Sequence, residues 1–163
     1  MKRGTLTLCF AIGVCVLALA VPNFSGTWVG DTTKSDPGAA AGGRAVGQPA
    51  SLESIMIVKH EGDSLQVDTR LGDRPSVQVK YRLDGNEHTL PSERGGDLVY
   101  KSKWDGEKLV IEGMRTVASP FGTTEIKTKE EWMLSDNGQV LTVVTTTSDL
   151  RGDRTQKKVY NKK

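Results

Sequence analysis

From residue 21 onward, apolar residues recur at every second position, with no sustained recurrence at every third or fourth. Val77, Val79, Tyr81 and Leu83 alternate with Gln78, Lys80 and Arg82. Leu98, Tyr100 and Trp104 alternate with Lys101 and Lys103, and Leu109 and Ile111 take the parity opposite to Glu112. Ile126, Trp132 and Leu134 share one parity, while Glu125, Lys127, Lys129 and Glu131 take the other. A period of two gives each strand one buried and one wetted face. The pattern predicts strands at 24–30, 52–60, 65–71, 76–84, 98–104, 108–117, 124–134, 140–147 and 155–160, with a weaker tenth at 87–90. Between them stand turn dipeptides: Gly62-Asp63, Gly72-Asp73, Asp84-Gly85, Gly95-Gly96, Asp105-Gly106, Asn137-Gly138 and Gly152-Asp153. Such pairs tolerate the positive φ of tight hairpins, and their spacing leaves no room for crossover helices. The chain therefore reads as all-β, an antiparallel up-and-down meander. So many strands in an open sheet would leave long bare edges, so closure into a barrel of about 8–10 strands is expected. A two-sheet sandwich is the alternative.

Two segments depart from this rhythm. Residues 1–20 begin with Lys2 and Arg3, continue with an apolar run from Leu6, and end in Ala18-Leu19-Ala20. That order predicts a secretory signal peptide cleaved after Ala20, leaving a single domain at 21–163 in a secreted protein, periplasmic or extracellular. Cleavage would remove both cysteines, Cys9 and Cys15, and leave equal numbers of basic and acidic residues. A neutral mature chain gives no reason to expect nucleic acid or a membrane surface as partner. Residues 36–50, rich in Gly, Ala and Pro, predict a long loop between the first two strands, either a plain surface loop or a lid over one barrel mouth.

The run Phe24-Ser25-Gly26-Thr27-Trp28 resembles the Gly-x-Trp opening of lipocalins and of the wider calycin group, which includes the fatty-acid-binding proteins and avidins. That resemblance implies a barrel whose last strand closes onto the first, with Trp28 plugging the closed end. A longer pattern adds Lys34-Ser35-Asp36, Ser102-Lys103-Trp104-Asp105-Gly106 and Glu131-Trp132. It resembles small uncharacterised secreted bacterial proteins and implies no activity. Fatty-acid-binding proteins end in Arg-x-Tyr, which holds a carboxylate. Here Lys158-Val159-Tyr160 stands in that place, and a lysine keeps the charge but loses the two-pronged fork.

These readings give a barrel that binds a small, largely apolar or amphipathic ligand, lined by Tyr81, Tyr100, Trp104, Ile111 and Trp132. Arg115, Glu130, Lys158 and Tyr160 are the polar candidates. Arg115 and Glu130 share the apolar parity of adjacent strands, as a polar anchor for ligand, as a structural ion pair near the barrel mouth, or with both exposed by a register break. Lys158 and Tyr160 face one way together, either inward or outward with Val159 as the core residue. The alternative function is a structural or interaction protein whose barrel is filled by its own side chains. No nucleophile–base pair, metal-ligand spacing or dinucleotide motif occurs, so neither catalysis, nor a metal, nor a cofactor is expected. Haem barrels with a Gly-x-Trp-x-Gly start use a late histidine, and no histidine follows His88.

Overall fold

The computed structural model describes residues 21–36, 53–92, 96–119, 122–135 and 137–163. The expected signal peptide, both cysteines and nearly all of the 36–50 loop lie outside them. Ten strands follow in order: β1 (Gly26–Gly30), β2 (Ser54–Glu61), β3 (Ser64–Leu71), β4 (Val77–Arg82), β5 (Glu87–Leu90), β6 (Leu98–Asp105), β7 (Lys108–Ser119), β8 (Gly122–Leu134), β9 (Val140–Asp149) and β10 (Gly152–Lys162). They form one antiparallel sheet in the order β4-β3-β2-β1-β10-β9-β8-β7-β6-β5. Every one of the seven anticipated turn pairs contains a glycine at positive φ, from 53° at Gly62 to 95° at Gly152. The weak tenth strand at 87–90 is present as β5. β7, β8, β9 and β10 run longer than the alternation indicated, pairing up to the tight turns that join them.

The last strand pairs with the first: Trp28 lies opposite Lys162, and Gly30 opposite Tyr160. The two free edges, β4 and β5, are consecutive in the chain, so the sheet curls until they meet in a nearly closed barrel. No ladder joins them. Instead β6 reaches across: the Arg82 amide donates to Tyr100 Oη at 2.7 Å. Ser102 Oγ in turn donates to the Arg82 carbonyl at 2.8 Å. Two backbone groups that an edge would leave bare are thus satisfied by side chains. Outside this point the seam forms a surface cleft of about 570 Å³ bordered by Lys80, Arg82, His88 and Thr89.

One end of the barrel is capped. Phe24, Trp28, Leu65, Leu109 and Leu141 are fully buried there. β1 begins at Gly26, two residues later than the alternation indicated, because Phe24 turns across the barrel end instead of continuing the strand. Its ring stacks on Trp104 at 5.9 Å and 3°, stacks on His60 at 5.8 Å, and meets Trp132 edge-on at 5.8 Å. Ser25 Oγ accepts from the His60 amide at 2.9 Å and donates to the His60 carbonyl at 3.2 Å, anchoring the end of β2. Gly26 sits at φ 151°, where a Cβ would lie 3.0 Å from Lys162 Cε. Trp28 Nε1 donates to the Phe24 carbonyl at 3.0 Å. The Phe-Ser-Gly-Thr-Trp run is thus a capping device in which four of five residues have a stated mechanical part.

Candidate functional site

The register fixes which side chains face the interior. Trp28, Met56, Val58, Leu65, Val67, Tyr81, Tyr100, Ile111, Trp132, Leu141, Val143 and Tyr160 form one buried cluster. Their strand-mates at even spacing extend the same face toward the uncapped end. Along that face burial falls off. On β9, Leu141 and Val143 are buried, whereas Thr145 and Thr147 are only half-buried. On β8, Trp132 is buried, whereas Glu130, Thr128 and Ile126 are half-buried. On β10, Tyr160 is buried, Lys158 and Gln156 are exposed, and Arg154 is half-buried. On β4, Tyr81 is buried, Val79 is half-buried, and Val77 is 63% exposed. The interior is therefore packed dry at the cap and reached by solvent from the opposite end.

The two walls of that open half differ in chemistry. β2, β3, β4 and β6 contribute Ser54, Met56, Val67, Thr69, Val79, Tyr81 and Leu98, a mostly apolar set. β7 to β10 contribute Arg115, Val117, Ile126, Thr128, Glu130, Thr145, Thr147, Arg154, Gln156 and Lys158, a mostly polar one. An interior with one apolar and one polar wall suits an amphipathic molecule, since each part of it finds a matching surface.

All nine residues singled out by the sequence lie on this inward face. Trp104, half-buried, belongs to the cap, stacked on Phe24 and on His60 at 6.0 Å. Tyr100 is tied into the seam and meets Tyr81 edge-on at 5.2 Å. Ile111 is buried in the floor of the cluster, and Trp132 Nε1 donates to Glu130 Oε2 at 3.1 Å. Lys158 and Tyr160 face inward beside the mouth, where a cleft of about 270 Å³ also takes in Ser54 and Leu71. Val159 is nevertheless buried too, beneath the 31–36 turn: Asp31 donates its amide to the Val159 carbonyl at 2.7 Å, and the Val159 amide donates to Ser35 Oγ at 2.9 Å. That turn is held by Asp31, whose carboxylate accepts from Thr33, Asn161 and Lys34 and so titrates well below the usual range. The inward-or-outward question for the last strand thus has both sides covered.

The Arg115–Glu130 pair does not form. Ile111 is the register partner of Glu130, and Ile126 that of Arg115. The two charges are offset by four residues, about 13 Å of extended strand. Parity was right and register was not visible in it. Nε of Arg115 is buried without a hydrogen-bond partner. Arg154 ion-pairs with Asp149, and its own Nε is likewise unpartnered. Glu130 is half-buried on the inner face, and this burial raises its pKa above the ordinary value against the lowering effects of the Trp132 indole and the Lys158 charge. Its charge in turn adds to the effect of burial in raising the Tyr81 and Tyr160 phenols. β4 is not a sheet neighbour of β8, so the coupling to Tyr81 runs across the barrel interior.

The sequence reading missed Thr145 and Thr147, although continuing the Leu141–Val143 parity leads to both. It also missed the cap formed by Phe24 and His60, whose signal is aromatic content at strand ends rather than alternation. Among the described residues no group of three or more metal-ligating side chains comes together. A separate cleft of about 460 Å³ lies on the outer face of β5 to β9, floored by Val99 and Met114, and takes in only Tyr100 of the nine.

No family model and no curated protein matches this sequence. Among solved structures, the chain is similar to a secretory abundant heat soluble protein from Ramazzottius varieornatus, with TM-score 0.61 and 19% identity over 88% of this chain and 98% of the other. It is also similar to the zebrafish ileal bile acid-binding protein complexed with cholic acid, at TM-score 0.58 and 17% identity over 86% and 98% of the two chains. Apo lipid binding protein 8 of Caenorhabditis elegans matches at TM-score 0.59 and 10% identity over 86% and 95%. These are likenesses of fold, and they place the chain's architecture among the calycin-like barrels.

Proposed function

We propose that this chain is an exported binding protein, not an enzyme, that holds one small amphipathic molecule inside its barrel. The observation that carries the reading is the inner face itself. It runs from fully buried at the cap to solvent-reached at the mouth, and its open half has an apolar wall facing a polar one. A barrel of about this strand number has room for one small ligand. The similar zebrafish barrel was solved with cholic acid, and the similar nematode barrel is named for lipid binding. Both support an apolar ligand in this architecture.

The test uses N-phenyl-1-naphthylamine, a neutral dye that brightens in apolar surroundings. It should bind saturably with one site per chain and be displaced by 1-decanol. A signal that rises linearly with dye, or that decanol leaves unchanged, would mean the interior takes no ligand.

A further inference from the structure

Glu130 is a half-buried, inward-facing acid with no base beside it. No described Lys, Arg or His nitrogen lies within 4.0 Å of its carboxylate. Its one hydrogen bond comes from the Trp132 indole, on Oε2. The groups around it are named by the sheet. On its own strand stands Trp132, on β9 its register partner is Thr145, and on β7 it is Ile111. On β10 Gln156 continues that row, with Lys158 and Tyr160 two and four residues along the strand from it, and across the interior on β4 stands Tyr81. Lys158 is the only cation among these, and it is exposed toward the mouth. Arg115 and Arg154 lie four and two residues of register from Glu130, nearer the opening. A half-buried acid without a counter-charge costs stability, and nothing in the packing requires an acid here.

We propose that the interior recognises a protonated amine on an otherwise apolar ligand, held by the Glu130 carboxylate. This rests on the barrel being a binding protein, and it names the ligand's polar group. An ammonium has three donors and no acceptor, which matches a carboxylate whose one hydrogen bond, from Trp132, occupies only one of its oxygens. Electron-rich rings bordering the space add to the attraction for a cation. A carboxylate headgroup at the same place would face Glu130 as a like charge.

Burial raises the Glu130 pKa, so between its unfolded and folded values the folded state binds more protons than the unfolded one. Stability then falls as pH rises through that window, and an uncharged Gln escapes the loss. An acid kept for binding should therefore be replaceable with a gain in stability, as residues kept for function commonly are.

The experiment displaces N-phenyl-1-naphthylamine with decylamine, decanoic acid and 1-decanol at neutral pH. Decylamine should compete at least about tenfold more tightly than decanoic acid, a difference of about 1.4 kcal/mol. Glu130→Gln should remove that advantage, leave decanol within about twofold, and raise the melting temperature by about 2 °C or more. Lys158→Met, which removes the competing cation, should strengthen decylamine binding. A preference for decanoic acid would overturn the proposal and place the polar group at Arg115. Equal affinity for all three, or a lower melting temperature in Glu130→Gln with the amine preference intact, would overturn it as well. Failure of the dye itself to bind would instead overturn the binding reading on which the proposal stands.

Discussion

Trp28→Ala is expected to lower the unfolding free energy by about 3–5 kcal/mol, the range for truncating a buried large aromatic residue. Trp28 is fully buried, its indole N–H is paired, and Lys162 Nζ lies 5.4 Å from the ring centroid. It also sits on β1, the strand that pairs with both β2 and β10, so its loss loosens the closure of the barrel. Domains of this kind have about 5–15 kcal/mol to lose, so the variant gives up a large share of its stability. Trp104→Ala should cost clearly less. Its side chain is only half-buried and lies against the cap, where Phe24 and His60 can close over a smaller gap. Urea denaturation of the two variants measures the difference. Equal losses would mean that Trp104 is packed as tightly as the plug.

Thr145→Phe is expected to abolish dye binding and cost less than about 1 kcal/mol of stability, because a side chain that grows into the proposed ligand space escapes the roughly 1–3 kcal/mol penalty of overpacking. Thr145 lies on the inward face, half-buried, directly opposite Glu130 on the neighbouring strand. A phenyl ring there would occupy the centre of the proposed site while keeping a residue with good strand propensity. The combination is what discriminates. A filled barrel would show the stability penalty, with no dye signal in the parent protein to lose. An open one shows intact folding and lost binding, read by denaturation and titration on the same sample.

The fold was largely legible because alternation and turn chemistry are both local. Val77 to Leu83 announces a strand with one inward face, and Asp84-Gly85 announces the hairpin that follows, without knowledge of anything distant. Parity also placed Tyr81 and Glu130 on the inner face, and left open which way Tyr160 faces. What parity cannot supply is how far one strand slides against the next. Arg115 and Glu130 point to the same side of adjacent strands, yet the β7–β8 register holds them four residues apart. Nor does it show that Phe24 leaves the strand to cap the barrel, since that depends on His60, Trp104 and Trp132 arriving from three other strands. Lys158 illustrates a third gap. An inward-facing residue near a mouth is exposed, so inward and buried are separate properties that the sequence merges.

The most direct test of the account is native mass spectrometry of the protein purified from its own source under gentle conditions. The account predicts a second species heavier by one small molecule per chain, lost on mild activation and restored when the bare protein is incubated with an amphipathic compound. A single species at the mass of the bare chain, unchanged by incubation with decylamine, decanoic acid or 1-decanol, would contradict it.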